Sequence, residues 1–302
     1  MSAKPTVVIV AGATASGKTA VAIELAKRFH TEILSADSRQ CFKELNIGVA
    51  KPTPDELSQV QHYFINSHSI FDEMNAGIYE KYALNILDKI FSRNNIAIVV
   101  GGTGLYIKAL CEGVDEMPAI SAFTRKTIIK NYEEYGLLWL QNEVKNKDSK
   151  FWEIAEQQNP QRLMRALAFV EDTGKSITEF HSGKKVQRNF DVVKIALDWE
   201  REILYGRINR RVDNMMREGL LKEAQQLYPN RLLNALQTVG YSEWFDYFDN
   251  KISLTEAIEK IKMNTRHYAK RQLTWFRKDE DIHWFHPSEK EKIVSFIKSN
   301  IA

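Results

Sequence analysis

The sequence predicts an α/β fold: a parallel β-sheet flanked by helices, carrying one helical insertion. Three observations support it. Short apolar runs of strand length alternate with amphipathic stretches at helical spacing, the pattern of strands joined through helices. Glycine-rich or polar loops directly follow three of these runs. From about residue 115 to residue 185 the strand signals vanish, and charged residues interleave with apolar ones at helical spacing. A chain of 302 residues accommodates one such domain with a smaller insert.

Val7–Val10 is an unbroken β-branched run, as in a strand covered on both faces. A glycine loop leads into a helix from Lys18 to about His30, whose apolar positions include Val21, Ala22, Leu25, Ala26 and Phe29. Glu32–Ser35 reads as a second strand and runs into the polar tip Asp37-Ser38-Arg39-Gln40. Phe64-Ile65 carries a short strand signal, Tyr79–Phe91 a helical one, and Ile96–Val100 is a further buried strand ending in Gly101-Gly102-Thr103-Gly104. Leu105–Leu110 continues as a helix. After the insertion, Val192–Leu197 returns to the sheet, Ile203–Tyr228 forms one long helical region, Ala257–Phe276 another, and Ile282–Phe285 a last short strand. The expected division is a core of residues 1–114 and 188–302 and an insertion of residues 115–187. Parallel sheets bind ligands at the carboxyl ends of their strands, so Gly12–Thr19, Asp37–Gln40 and Gly101–Gly104 should gather at one rim.

The composition is that of a globular protein, 44% hydrophobic and 27% charged. A net charge of +3 does not by itself mark a nucleic-acid binder, so the placement of the charges matters more. Cys41 and Cys111 show no CxxC spacing, which suggests neither a disulfide framework nor a zinc site and fits a reducing compartment. Val7–Ala11 is too short for a signal peptide, and no apolar stretch approaches the roughly 20 residues of a membrane helix. A cytoplasmic monomer without membrane contact is expected.

Gly12-Ala13-Thr14-Ala15-Ser16-Gly17-Lys18-Thr19 matches GxxxxGK[ST] between a strand and a helix. Its glycines let backbone N–H groups turn toward phosphate oxygens, the helix N-terminus adds positive dipole, Lys18 is a mobile cation, and the Thr19 hydroxyl can hold magnesium. Kinases, nucleotide hydrolases and some transferases share this loop, so it identifies phosphates and not the reaction. A hydrolase would offer a metal-holding acid after a later buried strand, whereas Ile96–Val100 ends in Gly-Gly-Thr-Gly. Asp37 is the other acid available. Its loop combines a potential base, a hydroxyl, a cation and an amide, groups that suit base edges or phosphates. Thr103 lies between glycines that let a ligand approach the backbone. Within Gln161-Arg162-Leu163-Met164-Arg165, Arg162 and Arg165 share a helix face. Arg266 with Lys270, His267 with Arg271, and Arg207 with Arg210 and Arg211 form further basic rows. Each alone fits a solvated surface, and together they favour a localised patch along a nucleic-acid backbone.

These segments resemble the tRNA dimethylallyltransferase family: GATASGKT at residues 12–19, SADSRQ at 35–40, VGGTGLYIKAL at 100–110, NPQRLMRAL at 159–167, LYGRINRRVDNMMREGL at 204–220, VGYSEW at 239–244 and TRHYAKRQLTWFRK at 265–278. The similarity runs over nearly the whole chain. With no zinc-finger extension after the core, it points to the bacterial type. The resemblance implies a P-loop NTPase-like core, a helical insertion gripping the tRNA anticodon stem-loop, and a magnesium ion. The implied reaction moves a dimethylallyl group from its diphosphate to the exocyclic amine of the adenosine just 3′ of the anticodon, in tRNAs reading codons that begin with U.

Carried over by motif, Gly12, Ala13, Thr14, Ala15, Ser16, Gly17, Lys18, Thr19 and Ala20 would hold the donor diphosphate, with Thr19 at the Mg2+. Asp37 would be the general base, and Lys18 and Thr103 its catalytic companions. Asp37, Ser38, Arg39, Gln40, Thr103, Arg125, Gln161, Arg162, Leu163, Met164 and Arg165 would meet the tRNA. Arg211 is the candidate for a second cation on the diphosphate. Two other readings share the loop. An isopentenyltransferase acting on free AMP or ADP would not need the insertion, and a small-molecule kinase would need a lid of phosphate-clamping arginines.

Overall fold

The computed structural model describes residues 4–181 and 183–301. Six parallel strands form one sheet: β1 (Thr6–Gly12), β2 (Ile33–Ser35), β3 (His62–Tyr63), β4 (Ile96–Gly101), β5 (Asp191–Leu197) and β6 (Ile282–Phe285). Their spatial order is β3-β2-β4-β1-β5-β6. This is the parallel α/β sheet that the alternating pattern predicts, and the P-loop NTPase-like core that the resemblance implies.

β1 lies inside the sheet, between β4 and β5, and alternation along it divides the core in two. Val7, Ile9 and Ala11 enter one apolar layer, which also holds residues of α3 (Ala76–Phe91), α4 (Gly104–Glu112), α8 (Arg201–Glu218) and α9 (Leu220–Leu227). α10 (Ser242–Phe248) and α11 (Leu254–Phe276) add to the same layer. Val8 and Val10 enter the other layer, with α1 (Lys18–Arg28) and α12 (Lys290–Ser299). Val7, Val8, Ile9 and Val10 are fully buried, which explains why β1 reads as continuous rather than alternating apolar sequence. A short helix, α2 (Pro54–Gln59), starts in a capping box between Thr53 and Glu56.

Two expectations are corrected. The strand signal at Phe64-Ile65 belongs two residues earlier, at His62–Tyr63. Phe64 itself has φ 61° and cannot continue a strand; its ring packs in the core 4.9 Å from Tyr79 and 5.1 Å from Tyr82. The long helical region from Ile203 to Tyr228 is two helices, α8 and α9, broken where Gly219 takes φ 102°.

Residues 114–185 form a separate compact unit. It contains α5 (Ala122–Lys147), α6 (Ser149–Ile154) and α7 (Pro160–Thr173). α5 is bent at Gly136, where φ is 75°. Ile128, Leu140, Val144, Leu163, Met164 and Leu167 form the unit's own core. The sequence boundary at residue 187 moves back to 185, because the Val186 N–H donates to Glu112 O at 2.8 Å and ties that segment to α4. Among the described residues, no helix is long and apolar enough to cross a membrane.

Gly101 shows how closely β2 and β4 leave the sheet together. A Cβ placed there would lie 2.2 Å from the Ala36 carbonyl oxygen, a backbone atom that cannot swing aside. Gly101→Ala is therefore expected to lower Tm by roughly 2–12 °C, the effect of overpacking by about 1–3 kcal/mol in a core of this size. Thermal melts would check this, and a Tm within about 1 °C of wild type would contradict the packing account.

Candidate active site

The loop after β1 turns through three left-handed positions: Gly12 at φ 143°, Ala15 at φ 61° and Gly17 at φ 90°, the last capping α1. Its carbonyls are held by cationic or indole donors. Lys18 Nζ donates to Ala13 O at 2.6 Å, Arg207 Nε to Ala15 O at 2.8 Å, and Trp199 Nε1 to Ser16 O at 2.9 Å. Arg207 also stacks 4.7 Å above the Trp199 ring, so the two hold the loop as a pair. α1 starts at Lys18, leaving the N–H groups of its first turn without intrahelical acceptors and ready for an anion. The Ser16 hydroxyl is buried with no partner.

β2 delivers Asp37 beside this loop. Asp37 Oδ1 accepts from the N–H groups of Arg39 (2.9 Å) and Gln40 (3.2 Å), which fixes the carboxyl and, among the described residues, leaves Oδ2 without a hydrogen bond. β4 delivers Thr103, whose Oγ1 accepts from the Ser38 N–H at 3.0 Å and donates to Ser38 Oγ at 3.3 Å. Behind Thr103, the Tyr268 hydroxyl is pushed up to about 12 by burial and by the nearby Asp37 charge. Arg211 Nη1 donates to Thr14 Oγ1 at 3.3 Å, and its Nη2 shares the Ala50 carbonyl with Gln40 Nε2, at 3.4 and 3.0 Å. The segment leading to Ala50 is held by Glu223, which accepts from Ile47 N–H (2.8 Å), Gly48 N–H (3.0 Å) and Tyr241 Oη (2.6 Å).

Two half-buried cations, Lys18 and Arg211, stand beside the Asp37 carboxylate here. Burial lowers Lys18 from its ordinary 10.5 to about 8; Asp37 opposes the shift and Arg211 adds to it. Arg211 is lowered in the same way, by burial first. A site with this imbalance favours an anionic ligand. The pH dependence follows. Free enzyme loses the Lys18 charge above pH about 8, so kcat/KM for a diphosphate substrate should fall about tenfold per pH unit above that point, while kcat, which reports the liganded site, falls later. A kcat/KM flat to pH about 9.5 would contradict it. The stability effect has the opposite sign: between about 8 and 10.5 the unfolded chain holds more protons at this position, so the penalty of burying Lys18 is full below pH 8 and is relieved as pH rises.

The structure thus brings Gly12–Thr19, Asp37–Gln40 and Thr103 to one rim. Ala20 sits on the first turn of α1 with its methyl exposed. Arg125 lies exposed on the first turn of α5, and Gln161, Arg162 and Arg165 lie exposed on α7, all in the insertion unit. Leu163 and Met164 are corrected: they are 0% and 9% exposed and fill that unit's core, so neither offers a side chain to RNA. The row Arg207, Arg210, Arg211 is also corrected. Only Arg210 is exposed, while Arg207 and Arg211, one helical turn apart, hold the loop after β1.

Sequence reasoning missed several residues. Asp198 and Trp199 follow β5 directly, and inspection of that strand end would have found them; Asp198 is engaged by Arg277 at 3.4 Å. Gln272 and Tyr268 come from α11, more than 150 residues beyond the loops they touch, and no local pattern marks them.

The comparisons agree with this architecture. The family model described as IPP transferase matches residues 40–279. A tRNA dimethylallyltransferase of Christiangramia forsetii is 48% identical, with 96% of each chain covered. That of Cytophaga hutchinsonii is 46% identical over 98% of this chain and 97% of its own. Among solved structures, the tRNA isopentenylpyrophosphate transferase of Bacillus halodurans superposes with a TM-score of 0.73 at 34% identity, covering 98% of this chain and 96% of that one. A eukaryotic dimethylallyltransferase acting on tRNA superposes with a TM-score of 0.80 at 25% identity, covering 99% and 80%.

Proposed function

The chain belongs to the IPP transferase family, and from that premise we propose that it transfers a dimethylallyl group from dimethylallyl diphosphate to the exocyclic amine of the adenosine 3′-adjacent to the anticodon, in tRNAs reading U-starting codons. The observation that carries this reading is the convergence of a diphosphate-type loop and a fixed carboxylate at one rim, with the Asp37 charge felt at both Lys18 and Arg211.

In the reaction a bond forms between the adenine amine and the allylic carbon as the carbon–oxygen bond to diphosphate breaks. The amine proton passes to Asp37, whose Oδ1 is committed to the Arg39 and Gln40 amides and whose Oδ2 is available. Negative charge grows on the leaving diphosphate, where Lys18, Arg211 and the first-turn amides of α1 stabilise it. Ser38, Arg39, Gln40 and Thr103 line the side from which the adenosine, swung out of its stack, approaches. Arg125, Gln161, Arg162 and Arg165 present donors from the insertion unit to the anticodon stem-loop. Among the described residues no group of three or more His, Cys, Asp or Glu could hold a metal. The Thr19 hydroxyl would hold a Mg2+ ion, a hard cation that takes oxygen donors. Bound there, it would neutralise diphosphate charge. The enzyme works in the cytoplasm, as a monomer.

The test is positional. Two otherwise identical unmodified tRNAs, one with adenosine and one with guanosine 3′ of the anticodon, are incubated with enzyme, magnesium and dimethylallyl diphosphate, digested, and read by mass. A mass gain at the adenosine alone is expected. Equal labelling of both, or labelling elsewhere, would overturn the assignment.

A further inference from the structure

We propose that Gln272 is a positioning residue that sets the spacing between the diphosphate loop and the Thr103–Asp37 side of the site. The inference rests on the transferase reading above. Gln272 is 7% exposed. Its Oε1 accepts from the Thr14 N–H at 2.8 Å, and its Nε2 donates to Gly102 O at 2.9 Å. The amide's direction is forced, since a peptide N–H only donates and a peptide carbonyl only accepts. One side chain thereby ties the loop after β1 to the loop after β4, with both polar ends on main chain.

The surroundings support the bridge. Tyr268, Gln272 and Trp275 stand at i, i+4 and i+7 of α11, along one face. Tyr268 contacts Thr103. A Cβ on Gly102 would lie 2.1 Å from Gln272 Nε2, and one on Gly104 would lie 2.2 Å from Trp275. Three successive loop residues are thus read by one helix face, and within this triplet Gln272 alone also hydrogen-bonds the diphosphate loop. From Gly102 the chain of contacts continues through Thr103 to the Ser38 N–H, next to Asp37. Arg211 holds the Thr14 hydroxyl while Gln272 holds the Thr14 amide, so that residue is fixed from two directions. Group transfer is sensitive to this spacing, since a misplacement of about 1 Å costs on the order of 10²-fold in rate.

The test uses the full chain with magnesium, dimethylallyl diphosphate and unmodified tRNA. Gln272→Met keeps the volume and removes both hydrogen bonds. It should lower kcat about 10–100-fold, leave KM for donor and for tRNA within about threefold, and speed amide hydrogen exchange in peptides spanning residues 12–17 and 101–105. Gln272→Glu adds a signature that a merely structural role would not give. A buried carboxyl is protonated more readily, and only the protonated form can both accept from Thr14 and donate to Gly102. The kcat of this variant relative to wild type should therefore rise as pH falls from 8 to 6, while that of Gln272→Met stays flat. A Gln272→Met kcat within twofold of wild type, a loss confined to KM, or unchanged exchange in both peptides would overturn the proposal. Exchange needs no turnover, so the bridge is judged even if wild-type enzyme fails to prenylate tRNA, an outcome that would refute the transferase reading alone.

Discussion

Asp37→Asn should lower kcat by roughly 10²–10⁴-fold with tRNA and donor saturating, while KM for dimethylallyl diphosphate changes little. Asparagine is the informative substitution because the proposed mechanism gives Asp37 two jobs. Its Oδ1 caps the turn through the Arg39 and Gln40 amides, a role an asparagine oxygen can keep. In the proposed reaction its charge and second oxygen would accept the amine proton, a role asparagine cannot fill. If the carboxylate served only to shape the loop, the variant would retain near wild-type turnover. Single-turnover rates and thermal melts separate the two: a large rate loss with an unchanged Tm assigns the base, whereas a small rate loss removes it.

Lys18→Met should lower kcat/KM for the donor by about 10²–10³-fold, the scale of one preorganised donor aimed at developing charge. Lys18 lies among buried groups, and its Nζ already holds Ala13 O at 2.6 Å. Its positioning cost is met before substrate arrives, so in the proposed mechanism its charge would act fully on the diphosphate. The substitution also removes a half-buried, desolvated cation next to Arg211, so it should not destabilise the free fold and should raise Tm slightly below pH 8. Steady-state kinetics with inorganic diphosphate as competitor check the first point: the inhibition constant should weaken in parallel with kcat/KM. An unchanged constant would place the diphosphate away from Lys18.

The strands and the three loops were legible in the sequence because each has a local signature. A β-branched run such as Val7–Val10 reads as a doubly covered strand, and glycines that take left-handed φ, such as Gly12 and Gly17, mark the turn that follows. Parallel pairing then brings the strand ends together without further information. Residues whose role depends on tertiary approach were not legible. Phe64 reads as strand from its apolarity but serves an aromatic cluster. Arg207 reads as surface charge in a basic row, and Arg211 is singled out only as what the resemblance implies, since periodicity cannot show that their face of α8 turns toward the loop after β1. Leu163 and Met164 came with a motif that mixes contact residues and core residues in one helical turn, and only their burial separates them. Gln272 is one polar residue on an amphipathic helix until its two main-chain partners are known.

Whether the proposed acceptor is an adenosine within tRNA is decided by incubating the enzyme with magnesium and dimethylallyl diphosphate in parallel with unmodified tRNA and with AMP, digesting the products and reading their masses. Dimethylallyl-adenosine from the tRNA reaction alone is the predicted result, and product from AMP alone, or from neither, would contradict it.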